Sequence, residues 1–194
     1  MEELKRRIVE DGRAIGDGIL KVDSFLNHQI DVKLLDSIGA EFERRFSDVK
    51  EQVDKILTIE SSGIAVSCFT AKYFGYPPVV FAKKEKPSTM IADSFSENVF
   101  SFTKQREYSI CVSKQFIASG DRVLIIDDFL ACGNAALALA GIIEQAGAIC
   151  LGAGIVIEKS FQDGSEKLNK AGIRVESLAM ISKIENGKII FSNS

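Results

Sequence analysis

The chain has 194 residues, 46% of them hydrophobic and 26% charged, and a net charge of −3 at pH 7. That is enough chain for one α/β domain with a full core, and short for two. The acidic balance argues against a nucleic-acid binder with a broad basic face. The four cysteines, Cys68, Cys111, Cys132 and Cys150, form no CxxC pair, and the single histidine, His28, has no ligand-type neighbour, so no metal site is expected.

Residues 2–15 read as a helix, with Leu4 and Ile8 on one side. This start is neither an export signal nor a membrane span, and no apolar run approaches the thickness of a bilayer. A cytoplasmic, disulfide-free protein is expected. Residues 20–31, LKVDSFLNHQID, show no clear period. They read either as a hood over a sheet rim, covering about 18–32, or as a plain connector. A hood would let Leu20 and Asn27 hold a flat ring. Residues 32–47 carry Leu34, Leu35, Ile38 and Phe42 at helical spacing.

Residues 53–59 predict a strand, 60–63 a turn, 64–74 a helix and 77–82 a second strand. Cys68 and Cys150 lie in apolar runs and read as small core residues. Residues 83–106 break the rhythm with Lys83, Lys84, Lys86, Pro87, Lys104, Arg106 and many Ser and Thr. That length predicts a mobile functional loop or hairpin, about 84–106, closed by a strand at 108–113. Strands follow at 122–127, 149–157, 174–181 and 188–191. Helices fall at 135–146 and 162–171, ended by Gly147 and Gly172. The alternation implies an α/β fold with a doubly wound, mainly parallel sheet in a single domain, 1–194.

Ligands of such sheets bind beyond the carboxyl ends of the strands. Four polar clusters fall there: Ser61-Ser62-Gly63, Lys83-Lys84, Asp127-Asp128 and Glu158-Lys159. Residues 123–136, VLIIDDFLACGNAA, are the most telling. A buried strand, two acids, a small-residue loop and a helix start make a cradle for a phosphorylated sugar. Loop amides face the phosphate, and the acids accept from ribose hydroxyls. Taken alone, the acid pair also reads as a solvated turn, Ser61-Ser62-Gly63 as a plain N-cap, and the lysines as a solvated loop. Lys159 can donate to an exocyclic purine oxygen or pair with a carboxylate.

The run 123–136 resembles the phosphoribosyl-pyrophosphate (PRPP) motif of type I phosphoribosyltransferases. The resemblance implies that Asp127 and Asp128 hold the ribose 2′- and 3′-hydroxyls as the catalytic acid pair. It implies that Ala131, Cys132, Gly133, Asn134 and Ala135 wrap the 5′-phosphate. Ser61, Ser62 and Gly63, with Lys83 and Lys84, would meet the pyrophosphate. Cys132 and Ala135 stand where the family commonly has Thr, so two hydroxyl donors are missing. The runs LKVDSFLNHQID, TIESSGIA, VFSFTKQ, VLIIDDFLA and IVIEKSFQ together resemble the xanthine phosphoribosyltransferases, over residues 1–181.

This narrower likeness implies base contacts from Leu20, Asn27 and Lys159, a homodimer, and a role in purine salvage making xanthosine 5′-monophosphate. Cys132 departs here too, since Asn is usual at that position. Mg²⁺ would come carried by PRPP or pyrophosphate, with no protein metal site. The alternatives are a hypoxanthine, guanine or adenine phosphoribosyltransferase, or a PRPP-sensing regulator. The regulator would want a helix-turn-helix or a basic face, and the first 50 residues show neither.

Overall fold

The computed structural model describes residues 1–16, 18–84, 93–101 and 106–192. Lys86, Pro87 and Lys104 of the expected loop lie outside the described residues, as does the side chain of Arg106.

Helix α1 (Glu2–Asp11) is shorter than its pattern predicted. Leu4 and Ile8 are its buried residues, and the next position on their face is Gly12, where the helix ends. Gly12 turns extended and returns its N–H to Ile8 O. Residues 13–15 then form β1 (Arg13–Ile15), paired antiparallel with β2 (Ile19–Lys21). A turn of π-helix, Asp23–Asn27, leads to α2 (Val32–Arg45), whose N-cap Asp31 accepts from Leu34 N at 3.1 Å. Next come β3 (Lys55–Ile59), α3 (Ser62–Tyr73) and β4 (Val79–Ala82). Among the described residues of the next stretch, β5 (Ser94–Ser101) pairs antiparallel with β6 (Arg106–Ser113) as a hairpin. Then follow β7 (Arg122–Leu130), α4 (Asn134–Gln145), β8 (Ile149–Lys159) and α5 (Gly164–Lys170). The chain closes with β9 (Val175–Glu185) and β10 (Lys188–Phe191).

Six strands form the central sheet in the order β10-β9-β8-β7-β3-β4. All its pairings are parallel except the terminal β9–β10 hairpin. Two apolar layers cover it. One packs α1, α2 and α3 through residues such as Leu35, Phe42 and Val66. The other packs α4, α5 and the β5–β6 hairpin through Leu139, Leu168 and Ile110. Burial on both faces is why β7 reads as an unbroken apolar run from Val123 to Ile126. No helix among the described residues is long and apolar enough to cross a membrane.

Two expectations fail. Cys68 is exposed, because the buried residues of α3 are Gly63, Val66, Ser67, Thr70 and Ala71, and Cys68 falls off that stripe. The motif strand continues to Leu130, three residues past its predicted end, so the acid pair sits inside β7 and not beyond it.

The chain leaves β3 toward β4 and leaves β7 toward β8, in opposite directions across the sheet. The order reverses between β3 and β7, where open α/β sheets hold their ligands. Pairing of these two strands stops at Leu57 and Ile125, so they part just before Asp127.

Candidate active site

Asp127 and Asp128 are 4% and 8% exposed. The Asp128 N–H donates to Asp127 Oδ1 at 3.0 Å. Burial pushes the Asp127 carboxyl well above its usual range, and the Asp128 charge beside it adds to the rise; Lys84 pulls the other way. Tyr108 of β6 faces the same spot. Burial raises its phenol first, and the Asp127 charge raises it further. Lys84 Nζ lies 6.0 Å from the centre of the Tyr108 ring. A buried acid, a phenol and an amine thus meet at the parting of β3 and β7.

The loop after β3 closes this corner from the other side. A Cβ on Gly63 would lie 3.1 Å from Asp127 Oδ1, so only a glycine lets the loop sit this low. Glu60 at the loop's start accepts the Lys84 N–H at 2.6 Å. The Glu60–Ser61 peptide is cis. Ser61 and Ser62 open α3, and the first amides of a helix have no partner within it. Lys83 behaves differently from Lys84. Its backbone exchanges hydrogen bonds with Cys111, at 2.9 and 3.0 Å, joining β4 to the hairpin.

The phosphate loop leaves β7 at Leu130. Gly133, at φ +79°, caps α4 in the left-handed region that favours glycine. The free amides at this helix start point their partial positive charge out of the loop. Three bonds brace the loop from α5 and its approach. Gly164 N–H donates to Ala131 O at 3.1 Å, Lys167 Nζ to Cys132 O at 3.3 Å, and Cys132 Sγ to Gln162 Oε1 at 3.4 Å. Asn134 gives its Nδ2 to Phe100 O of the hairpin at 3.0 Å.

A cleft of about 580 Å³ opens beside the phosphate loop and reaches Tyr108. The loop from Ala131 to Ala135 forms one wall, with Lys159, Phe129 and Tyr108 on the others and Gly18 and Ile19 of the hood above. Lys159 Nζ donates to Gly18 O at 2.8 Å and lies 5.9 Å from the centre of the Phe129 ring. Burial holds this ammonium below its usual pKa. A shallower depression of about 660 Å³ lies by α5 and β9. Its floor includes Glu158, whose Oε2 accepts from Ser177 Oγ at 2.5 Å, and the phosphate loop does not line it.

Of the expected residues, Lys159 and Ala131 to Ala135 line this cleft, Asp127, Gly63 and Lys84 cluster beside Tyr108, and Leu20 and Asn27 do neither. Leu20 is 7% exposed and packs in the α1–α2 core, while its neighbours Gly18 and Ile19 line the cleft. Asn27 ends the π-helical turn on the exposed side of the hood. Strand alternation explains the hood: β2 turns Leu20 inward and Ile19 outward. Tyr108, Phe129 and Gln162 were not singled out from the sequence. Phe129 follows the acid pair directly, which was its signal in the sequence, and it packs with Leu124 and Ile126 against the α1–α3 layer. Tyr108 carried no such signal, because the docking of its hairpin is a tertiary fact.

Residues 23–182 match the family model described as a phosphoribosyl transferase domain. The chain is 54% identical to a xanthine phosphoribosyltransferase of Clostridium novyi over 193 residues, all of both proteins. It is 53% identical to xanthine phosphoribosyltransferase 1 of Clostridium perfringens, over 98% of this chain and 100% of that one. Among solved structures, an adenine phosphoribosyltransferase of Thermoanaerobacter pseudethanolicus superposes with a TM-score of 0.74 at 25% identity, covering 92% of this chain and 98% of that one. The adenine phosphoribosyltransferase of Saccharomyces cerevisiae gives 0.72 at 24% identity, covering 92% and 99%, which speaks to the fold alone. With its acid pair, glycine-capped phosphate loop and order reversal at β3 and β7, this chain belongs to the phosphoribosyltransferase family and has the type I fold.

Proposed function

We propose that this chain is a xanthine phosphoribosyltransferase of purine salvage, converting xanthine and PRPP to xanthosine 5′-monophosphate and pyrophosphate. One observation carries the reading: the Lys159 ammonium and the Gly133 phosphate loop line the same cleft. A cation for a base oxygen and amides for a phosphate thus face one space of about 580 Å³. The full-length likeness to proteins named for xanthine supports it.

The 5′-phosphate sits on the amides of Ala131 to Ala135 and the start of α4. Asp127 and Asp128 accept from the ribose 2′- and 3′-hydroxyls. The amides of Ser61, Ser62 and Gly63 face the pyrophosphate, with Lys84 as a point charge. The bond from C1′ to the pyrophosphate oxygen breaks as the bond from C1′ to N9 of xanthine forms, and the N9 proton leaves to solvent. The chain's part is positioning and charge stabilisation, with no protein nucleophile.

Glu60 and Asp127 each already hold a backbone amide, so the donor set fits a Mg²⁺ that arrives chelated by the substrate. When bound, that ion neutralises charge on the departing pyrophosphate.

Lys159 has three donors and no acceptor, so one can stay on Gly18 O while another takes an exocyclic purine oxygen. Adenine offers a donor at that place and would leave that second donor of the amine without an acceptor. The base lies under Gly18 and Ile19, with Leu20 holding the hood from beneath. The whole chain, 1–194, works as one domain and as a homodimer, with Gly18 and Ile19 of the hood and Val99, Phe100 and Tyr108 of the hairpin lining the cleft.

Product masses after incubation with PRPP, Mg²⁺ and mixed purines test the reading. Xanthosine 5′-monophosphate with the highest kcat/KM for xanthine is expected, and a strong preference for adenine would overturn it. Light scattering on the purified protein tests the homodimer.

A further inference from the structure

Thr58 is 0% exposed, and among the described residues its Oγ1 has no hydrogen-bond partner. It lies on β3 among Ile56, Leu57 and Ile59, all buried. A valine there would fill the same shape without burying a polar atom. The hydroxyl needs a reason, and its surroundings give one. A Cβ on Gly63 would sit 2.1 Å from Thr58 Oγ1 and 3.1 Å from Asp127 Oδ1. The hydroxyl and the carboxylate therefore flank the same small gap, which Gly63 keeps open. The registered pairing of β3 with β7 ends at Leu57 and Ile125, one residue before Thr58.

We propose that Thr58 is a positioning residue for Asp127: with PRPP bound, its hydroxyl donates across the gap to the Asp127 carboxylate and fixes it toward the ribose. This deepens the proposed function and rests on PRPP binding at this site. Among the described residues Asp127 Oδ1 accepts from the Asp128 N–H, and a carboxylate oxygen accepts a second donor readily. The charged and titratable groups facing Asp127 are Asp128 on its own strand, Lys84 beyond β4 and Tyr108 on β6. Asp128 disfavours the carboxylate form. Lys84 favours it from outside the gap. Thr58 is the neutral donor held inside, in a dry place where a hydrogen bond to a charge counts for most.

The test compares wild type with Thr58→Val, Thr58→Ala and Thr58→Ser, by calorimetric titration with Mg²⁺ and PRPP and by initial rates. Without the hydroxyl, Thr58→Val should bind PRPP about tenfold more weakly, the usual weight of one hydrogen bond to a charged group. Its KM for PRPP should rise while kcat and the KM for xanthine hold. Thr58→Ser should keep wild-type affinity, and the melting temperature of Thr58→Val should equal or exceed wild type. Thr58→Ala supplies a second hydroxyl-free variant if Thr58→Val misfolds. Wild-type affinity in the hydroxyl-free variants overturns the inference, as does a serine variant as weak as the valine one. Wild type that binds PRPP yet makes no xanthosine 5′-monophosphate defeats the choice of base and leaves the Thr58 role standing. Wild type that does not bind PRPP defeats both.

Discussion

Gly133 and Gly164 touch backbone to backbone: a Cβ on Gly133 would lie 3.0 Å from Gly164 Cα, and a Cβ on Gly164 would lie 3.0 Å from Gly133 N and 2.3 Å from Ala131 O. The phosphate loop is thus braced from behind by the turn that opens α5. Its amides keep their aim because a second segment holds the loop from below.

Gly164→Ala should push Ala131 and Gly133 out of place. The methyl group meets the backbone of Ala131 and Gly133 and the side chain of Leu130, and overpacking of this kind costs about 1–3 kcal/mol. PRPP affinity should fall at least about tenfold, with a smaller loss of affinity for free xanthine. Calorimetric titration of each ligand separates the two effects.

Asp127 should make the protein less stable than an uncharged replacement would at neutral pH. Its folded pKa lies above the ordinary 3.8, through burial first and Asp128 second. Between those two values the folded chain holds a proton that the unfolded chain has released. Stability therefore falls as pH rises through that window. Asp127→Asn should remove that part of the slope and raise the melting temperature at pH 7, while turnover is lost. Asp127→Ala with Asp128→Ala should abolish PRPP binding and leave a folded protein. Thermal melts between pH 4 and pH 8 check the first claim, and near-normal turnover in the double variant would refute the second.

Lys159→Ala should raise KM for xanthine about 10- to 100-fold, the weight of a hydrogen bond from a charged donor. The KM for PRPP should hardly change, because the phosphate loop is braced independently by Gly164, Lys167 and Gln162. Lys159 also ties the hood through Gly18 O, so hydrogen exchange should quicken at the backbone amides near β1 and β2. Steady-state kinetics with each substrate varied, paired with exchange mass spectrometry, resolves both.

Asn134→Ala should loosen the hairpin without unfolding the sheet. Asn134 Nδ2 holds Phe100 O, and further along α4 Gln145 Nε2 holds Ser96 O at 3.0 Å while its Oε1 accepts Ser96 N–H at 3.3 Å. Losing one exposed bond costs about 0.5–1.5 kcal/mol. Amide exchange in β5 and β6 should speed up several-fold, and a change confined to α4 would contradict the coupling.

Patterns local to the chain determined the elements and the chemistry on offer. The apolar run into Asp127 and Asp128 marked a strand buried on both faces, because such a strand has no polar side to alternate with. Gly133 marked the one position where the loop needs a left-handed turn. The alternation of strands and helices marked the doubly wound sheet. Tertiary structure decided which side chains meet. It set Leu20 in the core and Ile19 over the cleft, since the direction of a side chain on a short hairpin depends on the face that packs. It gave Asn134 to the hairpin, brought Tyr108 to Asp127, and placed Thr58 beneath Gly63. Those contacts join residues far apart along the chain, and their geometry comes from how helices and sheet stack, which local periodicity does not encode.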